Sequence, residues 1–368
     1  MNSRTAFIKH FGPGGLTGTT FGDWLKILRD NRYSVDARYW PRAGFITFNS
    51  LMNSLVRRWE DFRYGSEIEG TPVPAPLFVL GIWRSGTTHL HNLLAKDDRF
   101  AFANTYQVLY PHTFLSTEKT NARAMQWFAP ATRPMDNVKN GVTEPQEDEF
   151  ALLACGISFL LGMSVFPRNA DNYGQLLSLQ DATPEEQEFW KSALMRFLRK
   201  LTFKYHRPLI LKSPAHTGRI KVLLELFPEA KFVHIHRDPY AVFPSQVHTW
   251  QSVVPWWCLQ EFECDDERVI RDYVEVTDAF FAQRHLIPEQ NFCEISFTDL
   301  ERDPMGQIKW IYESLKLPDF AYLERTLQDY LQTITAYSRN TFPDLPEETR
   351  RRIAREWGRC FEAWGYPK

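Results

Sequence analysis

The chain has 368 residues, enough to bury a full α/β core, and its 43 basic and 45 acidic residues leave a net charge of −2. That balance excludes the basic field that nucleic acid or a long polyanionic glycan needs. Cys155, Cys258, Cys264, Cys293 and Cys360 are odd in number and show no paired metal spacing, which excludes a disulfide framework and predicts a reduced, cytoplasmic setting.

The N-terminus, M-N-S-R-T-A-F-I-K-H-F, holds no apolar leader and no cleavage site. Phe21–Arg29 and Ile46–Phe62 read as amphipathic helices rich in Trp, Phe and Arg. Residues 1–70 are therefore read as a helical cap packed on the core. The second reading is a helix lying on a membrane surface or against a partner. Residues 71–76, T-P-V-P-A-P, form an extended linker into a buried strand at Pro76–Leu80.

Residues 81–88 then read G-I-W-R-S-G-T-T. Gly81 and Gly86 have the spacing of a Walker A phosphate loop, but Thr87 stands where its lysine belongs, and the basic residue is Arg84. Glycines let such a loop turn tightly so that successive N–H groups face inward. Leu90, Leu93 and Leu94 mark a helix from Thr87, whose N-terminus adds partial positive charge. An anion-binding loop without the γ-phosphate lysine points away from ATP and GTP and towards another phosphate-bearing ligand.

Residues 101–180 form a long aromatic insertion. Within it, Glu144-Pro145-Gln146-Glu147-Asp148-Glu149 is an acidic cluster suited to a helix N-terminus. Phe150–Phe166 is a 17-residue run without a charge, at the lower limit for a bilayer span. Its glycines and serines predict instead one buried helix lining the core or a pocket. No transmembrane segment is expected. Thr183-Pro184-Glu185-Glu186 is a capping box opening a helix to about Lys204.

The next strand, Leu209–Leu211, ends in Lys212-Ser213-Pro214, and Ile220–Phe227 is a helix closed by Pro228. Lys231–His236 alternates as a strand and ends in Arg237-Asp238-Pro239, with Asp238 as N-cap and Pro239 at the first helical position. Ser245 follows Arg237 by eight residues. A strand-terminal arginine and a serine two turns into the next helix can converge on one phosphate, the first with a planar fork of donors, the second with a hydroxyl. Trp250, Trp256 and Trp257 supply a second aromatic wall. His89/His91 and His234/His236 are read as non-metal pairs, since no third ligand is indicated.

These constellations together resemble the PAPS-dependent sulfotransferases, closest to the bacterial-type branch. The family's 5′-phosphosulfate motif is similar to Arg84-Ser85-Gly86-Thr87-Thr88, and its 3′-phosphate motif to Arg237 with Ser245. Lys212-Ser213-Pro214-Ala215-His216 resembles the family's strand-terminal lysine segment, and Ile295–Pro304 its aromatic-acidic segment, in which Phe297 would pack on the adenine. The resemblance covers about residues 76–345. It implies a three-layer α/β/α fold with a central parallel sheet, P-loop NTPase-like, with helical additions. The sulfotransferase domain would span 71–368, and the 101–180 insertion would build the acceptor site. Arg339 is the weaker candidate for the loop that closes over the 3′-phosphate.

The implied activity moves a sulfuryl group from 3′-phosphoadenosine 5′-phosphosulfate (PAPS) to a hydroxyl or amine, without a metal. Donors aimed at the leaving phosphate, from Arg84, Lys212 and the backbone of 85–88, would supply much of the rate. A base takes the acceptor proton. His216 is the first candidate, four residues after Lys212 where the family commonly has two, and Glu147 or Glu149 is the rival. Aromatic residues are 15% of the chain and crowd the acceptor segments, which favours a small, apolar or lipid-like acceptor. The alternatives are a P-loop nucleotide kinase and a non-catalytic nucleotide-binding protein. The sequence is silent on oligomeric state.

Overall fold

The computed structural model describes residues 14–128, 132–133, 135–136, 141–334 and 340–368. Five strands, β1 (Leu77–Leu80), β2 (Ala101–Phe102), β3 (Leu209–Lys212), β4 (Lys231–His236) and β5 (Phe292–Ser296), form one parallel sheet in the order β2-β3-β1-β4-β5. Most of the remaining chain is helical.

Strand alternation divides the interior into two layers. Phe78, Leu80, Leu209, Leu211 and Phe232 face the larger core, which holds the insertion and the helices Pro184–Tyr205 and Asp266–Gln283. Leu77, Val79, Ile210, Val233 and Ile235 face the smaller one, built with Leu90, Leu93, Leu94, Ile308, Ile311, Leu323 and Leu327. Helices therefore cover both sheet faces, which is the three-layer arrangement expected. In such sheets ligands bind beyond the carboxyl ends of the strands.

Several local expectations are met by caps. Thr183 accepts from Glu186 N–H while the Glu186 carboxylate accepts from Thr183 N–H, and the Asp238 side chain accepts from Tyr240 N–H. One expectation fails. Phe150–Phe166 is not a single helix. Glu149–Ala154 is helical, the chain turns at Gly156 with φ of +75°, and a π-helical turn follows at Leu161–Val165. The left-handed glycine ends the first helix, and the Ser158 hydroxyl folds back to donate to Glu149. The whole run is nonetheless buried or nearly so. Among the described residues no helix is long and apolar enough to cross a membrane.

Ahead of the sheet lie the helices Phe21–Asp30 and Trp40–Glu69. The second is longer than the 46–62 pattern predicts. It is fastened to the helix Pro184–Tyr205 by a buried ion pair, Lys200 Nζ to Glu60 Oε2 at 2.7 Å, and Lys200 also donates to the carbonyls of Pro111 and His112.

Candidate active site

Four of the five strands end at one place. The loop 81–88 leaves β1, Lys212 ends β3, Arg237 follows β4 and Phe297 follows β5. The loop depends on its glycines. Gly81 has φ of +143°, and a Cβ there would stand 2.5 Å from the Ile235 carbonyl. Gly86 has φ of +102°, and its Cβ would stand 2.3 Å from the Phe297 ring. Arg84 itself adopts a left-handed φ of +71°. The Gly81 N–H donates to Thr217 Oγ1 at 2.7 Å, and buried Ser85 donates through Oγ to Ile82 O at 2.7 Å. Gly86 is the N-cap of the helix Thr87–Leu94 and offers no side chain to its first N–H groups. Thr87 is buried and Thr88 half-buried at this helix start. An uncapped helix N-terminus behind a glycine turn is an anion site.

The arginines converge on the loop. Arg84 Nε donates to Ser245 Oγ at 2.8 Å across 161 residues, and its Nη1 donates to Asp136 Oδ2 at 2.9 Å. Burial would raise the Asp136 carboxyl, but Arg133 and Arg84 outweigh it and hold it down to about 2. Arg237 Nη1 donates to the Arg84 carbonyl at 3.1 Å, with its guanidinium 4.5 Å above the Phe297 ring. The structure thus brings Arg84, Ser85, Gly86, Thr87, Thr88, Arg237, Ser245 and Phe297 together. Arg339 lies outside the described residues.

Beside the loop, three consecutive acids meet three bases from the end of β3. Lys212 Nζ bonds Glu147 Oε1 at 2.7 Å, His216 Nε2 pairs with Asp148 Oδ2 at 2.6 Å, and Arg219 Nη1 bonds Glu149 Oε2 at 2.6 Å. Burial draws the Lys212 ammonium below the usual lysine range, with Glu147 opposing it. Burial pushes Asp148 up, but His216 and Lys212 outweigh it and its carboxyl ends below the usual range. The rungs differ in access. His216 and Asp148 side chains are each 0% exposed, and the His216 ring is wedged edge-on between Phe78 and Trp190. Glu149 is held by Arg219 and Ser158 in the core. Glu147 alone keeps an open edge, at 17% exposure.

Arg219, Asp136 and Thr217 are absent from the sequence reading, and Asp148 appears there only as a member of the acidic cluster. The available signal was the match between three acids in a row at 147–149 and bases at 212, 216 and 219. Of the two histidine pairs, His234 bonds Glu294, His236 bonds Tyr366, and His91 is buried beside the Phe102 ring, its pKa drawn down to about 3 by burial and by Lys212. Among the described residues no group of three or more His, Cys, Asp or Glu side chains is placed to hold a metal.

Aromatic rings cluster beside the loop and in the insertion. Trp83 of the loop meets Phe159 at 5.6 Å and Trp250 at 6.0 Å, and Phe150 meets Trp257 at 4.9 Å between centroids.

Comparison with known proteins agrees with this layout. A family model described as "Sulfotransferase family" matches residues 76–321. The omega-hydroxy-beta-dihydromenaquinone-9 sulfotransferases Stf3 of Mycobacterium tuberculosis (strain CDC 1551 / Oshkosh) and of Mycobacterium bovis are 37% identical over 362 residues, covering 95% of this chain and 91% of theirs. The crystal structure of sulfotransferase STF1 from M. tuberculosis H37Rv superposes with a TM-score of 0.66 at 19% identity, covering 92% of this chain and 91% of that one. Sulfotransferase STF9 from Mycobacterium avium gives 0.64 at 21% identity, covering 94% and 97%. At those identities the solved structures speak to the fold. The family match spans over half the chain and contains the loop, both ends of the ladder, Arg237, Ser245 and Phe297, so this chain belongs to the sulfotransferase family and is an enzyme of that class.

Proposed function

We propose that the enzyme transfers a sulfuryl group from PAPS to the hydroxyl of a lipid-like alcohol. The observation that carries this reading is the convergence of Arg84, Ser245 and Arg237 on a glycine loop that lacks the Walker lysine. Such a site suits a nucleotide phosphorylated at both ends. PAPS, when bound, supplies a sulfuryl group on a phosphate leaving group. The N–H groups of 85–88, Arg84 and Lys212 stabilise the charge that grows on the leaving oxygen. Arg237 and Ser245 hold the 3′-phosphate, and Phe297 steadies Arg237 and faces the base.

We assign the acceptor proton to Glu147. It is the acid of the ladder with an open edge, and Lys212 at 2.7 Å links it to the leaving-group side. Asp148 keeps His216 in place from behind, which makes His216 a positioning residue in this reading. Glu149 and Arg219 anchor the far end. The acceptor class rests on two supports: the aromatic wall of Trp83, Phe159, Trp250 and Trp257, and the Stf3 relatives, whose name gives a hydroxylated menaquinone derivative as their substrate.

The test has two arms. Unfolding is followed with 3′-phosphoadenosine 5′-phosphate and with Mg-ATP. At a hundredfold excess over Kd the bisphosphate should add about 2.7 kcal/mol of stability and ATP almost none. Transfer of label from PAPS is then measured to a long-chain prenyl alcohol and to a charged glycan. Preference for ATP overturns PAPS as the donor, and transfer to the glycan alone overturns the acceptor class.

A further inference from the structure

The helix Trp40–Glu69 is built inside out. Its buried positions are Arg42, Ile46, Ser50, Asn53, Glu60 and Ile68, four of them polar. Each polar one is hydrogen-bonded within the protein. Arg42 donates to Cys258 O at 2.6 Å, Asn53 to Thr17 O and Thr19 O, and Ser50 to Thr47 O, while Glu60 accepts from Lys200 and Ser116. The solvent side carries Phe45, Phe48, Met52, Leu55, Trp59 and Phe62, spaced three and four apart, with Phe48 60%, Trp59 52% and Phe62 90% exposed. Leu51 widens the stripe.

We infer that this face docks on a lipid bilayer surface that contains anionic lipid. The stripe from 45 to 62 runs about 25 Å along one helix at 1.5 Å per residue. An aromatic side chain offers on the order of 150–250 Å², so its four rings together expose several hundred Å², which a soluble monomer rarely leaves bare. Along the stripe, exposed Arg58 and Arg63 are both positive; the Asp61 side chain, 40% exposed, is held by Arg57 and Arg196, and exposed Glu67 and Glu69 lie beyond the end of the stripe. Around its start, exposed Arg32 and Arg38 continue the same sign, and Tyr33 and Trp40, at 63% and 66% exposure, add interfacial aromatics. The chain as a whole is slightly acidic, so this local excess runs against its average. A stripe of Phe, Leu and Trp edged by arginine is the composition of a helix lying in the headgroup region.

Self-pairing fits less well. Two-helix seams favour Leu, Ile and Val at the repeating positions, whereas four of six here are aromatic, and Arg58 and Arg63 meet no exposed acid on the stripe of a second copy. The location also suits a lipid acceptor. Arg42 and Tyr39 tie the start of the helix to Cys258, next to Trp257 of the aromatic wall. This last step rests on the acceptor class proposed above; the docking itself does not.

The full chain is sedimented with vesicles of phosphatidylcholine containing phosphatidylglycerol, and with vesicles of phosphatidylcholine alone. The protein should partition onto the mixed vesicles, and at least about tenfold less onto the neutral ones. The double variant Phe48→Glu/Phe62→Glu should lower partition onto mixed vesicles by roughly tenfold or more, with an unfolding midpoint no lower than wild type and unchanged turnover on a short-chain alcohol in solution. Wild type remaining in the supernatant, a variant that still sediments, or a vesicle-free dimer that the variant splits would overturn the inference. Absence of turnover on any alcohol with vesicle binding intact would count against the acceptor alone.

Discussion

The loop at 81–88 and the ladder at 147–149 stand at the same carboxyl edge of one sheet and are built on opposite principles. The loop keeps backbone donors open, because the helix N-terminus behind Gly86 has no side-chain cap. The ladder pairs its charges with one another, three acids against Lys212, His216 and Arg219, and buries two of its rungs. The contrast teaches where chemistry can enter. In the proposed reading ligand charge meets the loop, while the ladder is a rigid wall with one reachable end, at Glu147. A buried pair contributes little net stability, yet removing one partner is costly, so the wall holds its shape only while every rung is complete.

The sharpest way to break that contrast is to act on the open rung. Glu147→Gln keeps the shape and a hydrogen-bond acceptor for Lys212 but removes the basic carboxylate. Turnover should fall by ~10²–10⁴, with 3′-phosphoadenosine 5′-phosphate affinity changed by less than about threefold, no more than the low end of one neutral hydrogen bond. Near-normal turnover would take the base away from Glu147. His216→Asn in the same assay should lose stability without a matching loss in single-turnover rate, and a rate loss equal to that of Glu147→Gln would return the role to the histidine.

A closed rung should behave differently. Arg219→Ala leaves the Glu149 carboxylate buried without its cation, and global stability should drop by about 3–5 kcal/mol, read from the urea midpoint. Nucleotide affinity measured well below that midpoint should stay near wild type. A mild stability effect would mean that the inner rungs are less dry than their 0% and 1% exposures indicate.

The same contrast explains what was legible in the sequence. The loop was readable because its information is local. Two glycines, an arginine and a helix start lie within eight residues, and each residue's role follows from its own backbone. Arg237 and Ser245 were readable for the same reason, being eight apart on one strand–helix junction. The ladder was not. Its partners are separated by 65, 68 and 70 residues, and nothing local says that Glu147 turns to Lys212 while Asp148 turns to His216. Composition misled at Phe150–Phe166, where an apolar run predicted one helix and a single left-handed glycine divided it. The inverted polarity of Trp40–Glu69 was hidden too. The moment of that helix is visible in sequence, but the side that faces the protein is fixed by Glu60 and Lys200, 140 residues apart.

Predictions on the loop side are smaller, since each donor is one of several. Arg237→Ala removes charge-assisted bonds of about 1.5–3 kcal/mol, so bisphosphate affinity should weaken roughly 10- to 150-fold while the Kd of adenosine 5′-phosphosulfate, which lacks the 3′-phosphate, moves little. Equal losses for both nucleotides would mean that Arg237 serves the loop, through the Arg84 carbonyl, and not the 3′-phosphate.

The smallest expected effect divides two roles for one ring. Phe297 lies 4.5 Å under the Arg237 guanidinium and closes on Gly86, and the family resemblance also places it on the adenine. Phe297→Leu keeps apolar bulk beside the glycine and removes the π face. If the ring serves only to hold Arg237, the loss is that of a partly exposed cation–π contact, about 0.5–1 kcal/mol, or two- to fivefold in affinity. If it also carries the base, stacking adds about 1–3 kcal/mol and the loss passes tenfold. A double-mutant cycle with Arg237→Ala separates the terms. In the first case the Phe297 effect vanishes once the arginine is gone. In the second, most of it persists, because the base still rests on the ring.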